Sequence, residues 1–209
     1  PVPVTAGPFD DAEAPDDGLP RLDLGGMRVP VFEGGELRVE VDEESGVVVG
    51  ATVVTGESAL QLHSFAAPRG AGIWDEVRRE IAGSIEESGG TVDEAAGGFG
   101  TELRATVPAQ LPDGSVVAAP ARFVGVDGPR WFLRGVFTGP ASTDADAAAQ
   151  LETAFRRVVV VRGSDPMAPR DPIPLRLPPE IAELPEPGED EGEPGFDPFE
   201  RGPEITEVR

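Results

Sequence analysis

The order of hydrophobic and polar residues predicts three strands in the first third of the chain. Apolar and polar side chains alternate along each of them, which is typical of a strand with one buried face. Turn residues at 43–46 favour a hairpin between the first two. In the third strand His63 falls on the face opposite Leu60 and Leu62, so we expect it at the surface. The strands are predicted at 37–42, 47–54 and 58–65.

The pattern then changes to a helical period and back again. Isoleucine and valine recur every four residues over about 72–88, which predicts a first helix with one apolar face. A second helix is expected to begin near Ser142 or Thr143, with a hydroxyl cap and with Asp144 and Asp146 in its first turn. Further strands are predicted at 91–96, 101–107, 115–126 and 130–138, with a possible last one at 158–161.

Two groups of strands, each followed by one helix, predict an α+β fold. Connections of hairpin length make neighbouring strands antiparallel. We therefore expect a mainly antiparallel sheet covered by two helices, in the order strands, helix, strands, helix. Residues 21–178 are predicted to form this single domain, which ends in a Pro-rich strap at about 164–178.

The distribution of charge indicates a different structure at both ends of the chain. The formal charge is −22; residues 1–20 hold five acidic and no basic residues, and residues 179–209 hold eleven acidic and two basic ones. Both segments are rich in Pro and Gly and have little apolar surface, so we predict two disordered acidic tails. Aromatic residues flanked by acids in these tails are candidates for docking onto a partner protein. They are Phe9, Phe196 and Phe199.

Missing residue types exclude several chemistries. The chain has no Cys, Lys, Tyr or Asn, so all 17 basic residues are Arg, and it has one His. A cysteine nucleophile, a lysine Schiff base, a phosphate-loop lysine and a thiolate or multi-histidine metal site are therefore excluded. Asp144-Ala-Asp146 looks like a metal-binding pair, but helix capping explains it. We expect no cofactor and no metal, and we favour a protein that is not an enzyme.

Composition also limits the partners. No stretch approaches 18 consecutive apolar residues, so no membrane insertion is expected. The excess of acidic residues argues against nucleic acid, since phosphate binding requires positive charge. We expect a protein partner with a basic surface. The absence of Cys fits a reducing compartment, and we expect a cytoplasmic location.

The residues around the turn at 127–129 supply the candidate ligand site. Strand alternation places Arg130 and Arg134 on one face, and Arg122 on the preceding strand is expected to join them, with Asp127 in the turn. Guanidinium groups bind carboxylates and phosphates through paired hydrogen bonds. The structural alternative is that these arginines pair with the chain's own carboxylates.

Two functions are consistent with these features. The first is a non-enzymatic protein-interaction or adaptor domain, whose acidic tails bind a protein partner. The alternative is a domain that binds a small anion or metabolite at the arginine-bearing strand face, or a carboxylate-based hydrolase that uses this face.

Several separate segments, in order, resemble a known family. They are 21–25, 66–77, 122–135 and 161–163, followed by 175–178. Over about residues 7–178 the chain resembles the DUF3710-like proteins, an actinobacterial family of unknown function, which implies no catalytic residues. The order of strands and helices is also similar to that of Mog1/PsbP-type domains, whose members are mostly binding or assembly factors.

Overall fold

The chain divides into two units, and the described residues all belong to the first. A computed structural model describes residues 7–42, 47–70, 72–110 and 113–177. The units are Pro1–Pro178 and Pro179–Arg209. The predicted C-terminal tail, with Phe196 and Phe199, therefore lies outside the described residues, and so does the predicted turn at 43–46.

The described residues form eleven strands and two α-helices, which confirms the α+β class. In chain order the strands are β1 (Phe9–Asp10), β2 (Arg21–Asp23), β3 (Met27–Pro30), β4 (Glu36–Val41), β5 (Val48–Thr55), β6 (Ser58–Ala66), β7 (Thr91–Gly97), β8 (Gly100–Gln110), β9 (Val116–Gly128), β10 (Trp131–Thr138) and β11 (Val159–Val160). The helices are α1 (Trp74–Glu87) and α2 (Ala145–Arg157).

Seven strands form the main sheet, in the order β4-β5-β6-β10-β9-β8-β7. All neighbouring pairs in this sheet are antiparallel, as the short connections predict. These strands agree closely with the seven predicted between residues 37 and 138. The alternation of apolar and polar residues was a sufficient signal here because the central strands bury one face, and the edge strands β4 and β7 alternate between partly buried and exposed residues.

A smaller sheet was not predicted, although its strand β11 confirms the last strand predicted at 158–161. Its order is β1-β11-β3-β2, and β1 runs parallel to β11 while the other pairs are antiparallel. Each of its strands has two to four residues, too few for an alternating pattern to be recognised in the sequence.

The N-terminal segment is more ordered than the sequence analysis predicts. Phe9 donates its backbone N–H to Val158 O and pairs with Val159, so it belongs to a strand and not to a docking tail. Residues 7–20 were placed in a disordered tail, and that boundary is wrong. Their acidic residues bind basic residues of the domain, which offsets the charge repulsion that predicted disorder; residues 1–6 lie outside the described residues.

The two helices cover opposite faces of the main sheet. Leu151 and Phe155 of α2 pack in one core with Leu62 and Leu133 of the sheet and with residues of the small sheet. On the other face Trp74 of α1 packs in a second cluster. Helix α1 lies mainly over β7, β8 and β9, so it covers only part of its face.

The start of α2 corrects one prediction. The N-cap is Asp144, whose Oδ1 accepts the backbone N–H groups of Asp146 and Ala147. The hydroxyl of Ser142 instead donates to Gly139 O within a short 3-10 turn. A carboxylate at the N-cap makes the same bonds as a hydroxyl and adds a favourable charge to the helix dipole.

The Pro-rich segment after β11 is extended and crosses the sheet. Ile173 N donates to Ser64 O, and Arg176 N donates to Leu24 O, so the segment joins β6 to the loop before β3. Within this segment, the side chains of Ile173 and Leu175 are buried. Neither of the two helices in the described ranges has the length and apolar character needed to cross a membrane.

Candidate functional site

The four residues predicted around the β9–β10 turn do not converge. Arg122 faces α2, where its guanidinium donates to Glu152 Oε1 at 2.7 Å and lies over the Phe137 ring. Its Nε is 3.8 Å from the carboxylate of Glu102, which is fully buried. Arg122 is therefore part of a buried ion-pair network between β8, β9 and α2, as the structural alternative proposed.

Asp127 and Arg130 also have structural roles. Asp127 accepts the backbone N–H groups of Ile73 and Trp74 through its two carboxylate oxygens, so it holds the first turn of α1. Arg130 lies in the turn before β10 with a φ of 65°, not on the strand face, and donates to Gly163 O. Pro129 ends the preceding strand, so the alternation that placed Arg130 beside Arg134 begins only at Trp131.

Arg134 lies on the opposite face from Arg122, beside a small pocket. The pocket has a volume of about 130 Å³ and lies between the sheet, α1 and the extended segment. Its floor is apolar, and two guanidinium groups complete the lining. We call it the Arg134 pocket, and its lining residues are Phe65, Ile73, Val77, Phe132, Arg134 and Arg170.

The two arginines of the pocket differ in how their charge is balanced. Arg170 is exposed and pairs with the carboxylates of Glu76 and Glu80 on α1. Arg134 is half-buried, its side chain makes no hydrogen bond or ion pair with any other described residue, and its Nε is buried without a partner. Burial lowers the pKa of Arg134, against an opposing effect of Glu40. Its charge remains, because a guanidinium stays protonated in proteins.

Stacked rings form the wall next to Arg134. The planes of Trp74, Phe132, Phe65 and His63 follow one another across the sheet, with ring centroids 5.8 to 6.3 Å apart. The guanidinium of Arg134 lies 5.5 Å from the centroid of Phe65. A cation over an aromatic face is stabilised by about 0.5–2 kcal/mol, which supports the charge but satisfies none of its N–H donors.

A polar cluster continues the site beyond the rings, onto β4, β5 and β6. Glu40 Oε1 accepts hydrogen bonds from Thr52 Oγ1 and Gln61 Nε2, both at 2.7 Å. Its other oxygen lies 3.3 Å from His63 Nε2. His63 in turn pairs across the strands with Arg134. Glu40, His63 and Arg134 therefore form one row of charged and titratable groups on this face.

The His63 ring fits in this row because it packs against Gly50, which has no side chain. A Cβ atom at Gly50 would be 2.8 Å from His63 Nε2. Burial lowers the pKa of His63, and the charge of Arg134 lowers it further, against the opposing effect of Glu40. The imidazole is thus held neutral near pH 7, and the prediction of a simple surface histidine missed its burial.

One signal in the sequence does separate the arginines. The turn after Gly128 pairs that residue with Trp131, and this register places Arg134 opposite Gly125 and Arg122 opposite Phe137. Residues an odd number apart on one strand face opposite sides, so Arg122 cannot share a face with Arg134. The cluster around Glu40 has no comparable signal, because its members lie on three strands and only their register brings them together.

The chain is thus an α+β domain with one helix on each face of an antiparallel sheet. A pocket lined by arginine lies on the face that α1 covers. No group of three metal-ligating side chains converges among the described residues. The family described as "Protein of unknown function (DUF3710)" matches residues 7–184. This match covers most of the chain, which therefore belongs to that family. No curated protein matches it.

Proposed function

We propose that this protein binds a small anion at the Arg134 pocket. The observation that supports this proposal is the half-buried guanidinium of Arg134, which has no oxygen partner among the described residues and lines a pocket. Among the described residues, the other arginines whose side chains have no oxygen partner are all exposed. They are Arg69, Arg104 and Arg176. A guanidinium that has no carboxylate in contact can bind an anion through charge-assisted hydrogen bonds, which are about twice as strong as those between neutral groups.

The groups near Arg134 support binding more than acid–base catalysis. Nδ1 of His63 is buried and has no partner, so it is not accessible to a substrate proton. Oε1 of Glu40 already accepts two hydrogen bonds. Glu40 therefore acts on Arg134 through its charge and not through a contact. A hydrolase that used this carboxylate would need an oxygen open to the pocket.

The adaptor function stays a prediction. It rested on two acidic tails, of which the N-terminal one is largely part of the domain and the C-terminal one lies outside the described residues. No contact among the described residues favours it over anion binding.

Thermal unfolding of the full chain tests the proposal. Sodium acetate, benzoate, phosphate and sulfate are each compared with sodium chloride at the same ionic strength. At a concentration tenfold above its Kd, a bound anion stabilises the folded state by about 1.4 kcal/mol, which raises Tm by about 3–5 °C. We expect at least one anion to do so with the wild type and not with Arg134→Met, which keeps the apolar stem and removes the charge.

Arg130→Ala is the matched control, because Arg130 precedes the same strand but bonds only to Gly163 O. It should respond to the anion as the wild type does. If no anion shifts Tm of the wild type, or if Arg134→Met responds equally, the proposed function is wrong.

A further inference from the structure

We infer that the anion is a monocarboxylate attached to a compact, flat apolar group of about the size of a benzene ring. This inference rests on the proposed function and adds the chemical class of the ligand. It follows from the volume of the Arg134 pocket, from the residues that line it, and from the charge that is left unbalanced there.

The volume limits the apolar part of the ligand. The pocket holds about 130 Å³, and an apolar cavity of about 150 Å³ accommodates a benzene molecule. A single ring or a short branched chain therefore fits within this volume, whereas a long acyl chain would extend out of the open pocket. An acetate ion would leave most of the apolar lining without a contact.

The lining fits a flat group. Phe65 and Phe132 present stacked rings with centroids 6.0 Å apart, and Val77 of α1 and the N-cap residue Ile73 line the other side. A ring placed here extends the aromatic series and buries its faces against carbon atoms. Aromatic pairs gain about 0.5–1.5 kcal/mol beyond the area they bury, which favours a planar ligand over a branched one.

The charges favour a single negative charge on the ligand. Arg170 is already balanced by Glu76 and Glu80, so Arg134 supplies the one uncompensated positive charge of the pocket. Glu40, on the far side of His63, opposes a second negative charge. A carboxylate matches one guanidinium through two parallel hydrogen bonds, whereas a phosphate monoester carries close to two charges near neutral pH.

The same chemistry has two sources: a free aromatic acid, and the C-terminal residue of a peptide that ends in an aromatic side chain. Benzoate represents the first and N-acetylphenylalanine the second. Acetate lacks the ring, benzyl alcohol lacks the charge, and phenyl phosphate carries a second charge. The full-length protein is titrated calorimetrically with each of the five compounds.

Two variants on α1 test the pocket itself. Val77→Phe fills the space between α1 and the rings, and Ile81→Phe adds the same ring one turn later on the same helix face, away from the pocket lining. We expect the wild type and Ile81→Phe to bind benzoate at least about tenfold more tightly than acetate, because the ring is buried. Val77→Phe should lose this preference, and a thermal melt checks that each variant is folded.

The outcomes separate the two proposals. Equal affinity for acetate and benzoate, or tighter binding of phenyl phosphate or benzyl alcohol than of benzoate, overturns the ligand class. If Arg134→Met still abolishes acetate binding in that case, the proposed function stands. If none of the anions in either experiment binds, or if Arg134→Met binds them as the wild type does, both proposals fail. If phosphate or sulfate binds and no carboxylate does, only the ligand class fails. Tighter binding of N-acetylphenylalanine than of benzoate supports the inference and identifies a peptide C-terminus as the source.

Discussion

Arg122 and Arg134 lie on neighbouring strands, but their charges are balanced in different ways. Arg122 pairs with the fully buried Glu102 and with the partly buried Glu152. Removal of its guanidinium would leave the Glu102 carboxylate buried without a cation, whereas Glu152 would keep Arg156. Arg134 has an aromatic ring and no carboxylate in direct contact. Arg122 therefore stabilises the fold, and of these two arginines only Arg134 has no carboxylate partner.

His63 gives the folded protein a pH dependence whose sign follows from its pKa. In the unfolded chain the imidazole takes up a proton near pH 6.5, and in the folded chain burial and Arg134 lower that pKa. Just below pH 6.5 the unfolded state therefore binds more protons. The free energy of unfolding should fall as the pH drops from 7.5 to 5.5, and His63→Gln should reduce that fall.

Urea unfolding at pH 7.5, 6.5 and 5.5 measures this contribution. The wild type and the variant share all carboxylates, so the difference between their curves isolates His63. A difference that is constant over this range, or that grows in the opposite direction, would show that the folded state does not favour the neutral imidazole.

At the scale of elements, both helices begin at a carboxylate, but the two carboxylates come from different places. Asp144 immediately precedes α2, whereas Asp127 reaches the start of α1 from the end of β9. Asp127→Ala and Asp144→Ala should each lower the free energy of unfolding by about 1 kcal/mol. Asp146→Ala, in the exposed first turn of α2, should cost a few tenths at most. Chemical denaturation compares the three variants.

Equal effects of all three substitutions would contradict this interpretation, because only Asp127 and Asp144 accept backbone N–H groups of their helices. Loss of Asp127 should also weaken ligand binding, since Asp127 accepts a bond from Ile73, which lines the Arg134 pocket.

The sequence predicts some elements well and others not at all. The long strands and both helices were found because each has one buried face, which leaves a period of two or about four residues. The short strands β1, β2 and β3 carry no such period and form only because distant segments meet, whereas the run of valines at 158–161 did indicate β11. Arg134 was predicted because two arginines near a turn are distinctive, whereas Glu40 became recognisable only through strand register.

For the whole molecule, the N-terminal segment is expected to contribute to stability. Asp10 accepts the indole N–H of Trp131 at 2.8 Å, and Asp17 binds both Arg21 and Arg157. The hydrogen bond from Arg21 lowers the pKa of Asp17. Removal of residues 1–20 should lower Tm by at least about 5 °C, because it breaks these contacts and leaves a buried N–H unpaired. Differential scanning calorimetry measures the change.

Single substitutions in the full chain serve as controls for the deletion of residues 1–20. Asp10→Ala should reproduce part of the loss, and Asp16→Ala, which is exposed, should not. If the deletion leaves Tm unchanged, residues 1–20 do not stabilise the domain, as predicted for a disordered tail.

The pairing of β1 with β11 also bears on how the protein is made. Phe9 leaves the ribosome early, but its partner Val159 is synthesised only after the whole of the main sheet. Until Val159 has been synthesised, β1 has no partner strand, and the hydrogen bond from the Trp131 indole to Asp10 is not yet formed. Docking of the N-terminal strand is therefore among the last steps of co-translational folding, after the local hairpins of the large sheet have formed.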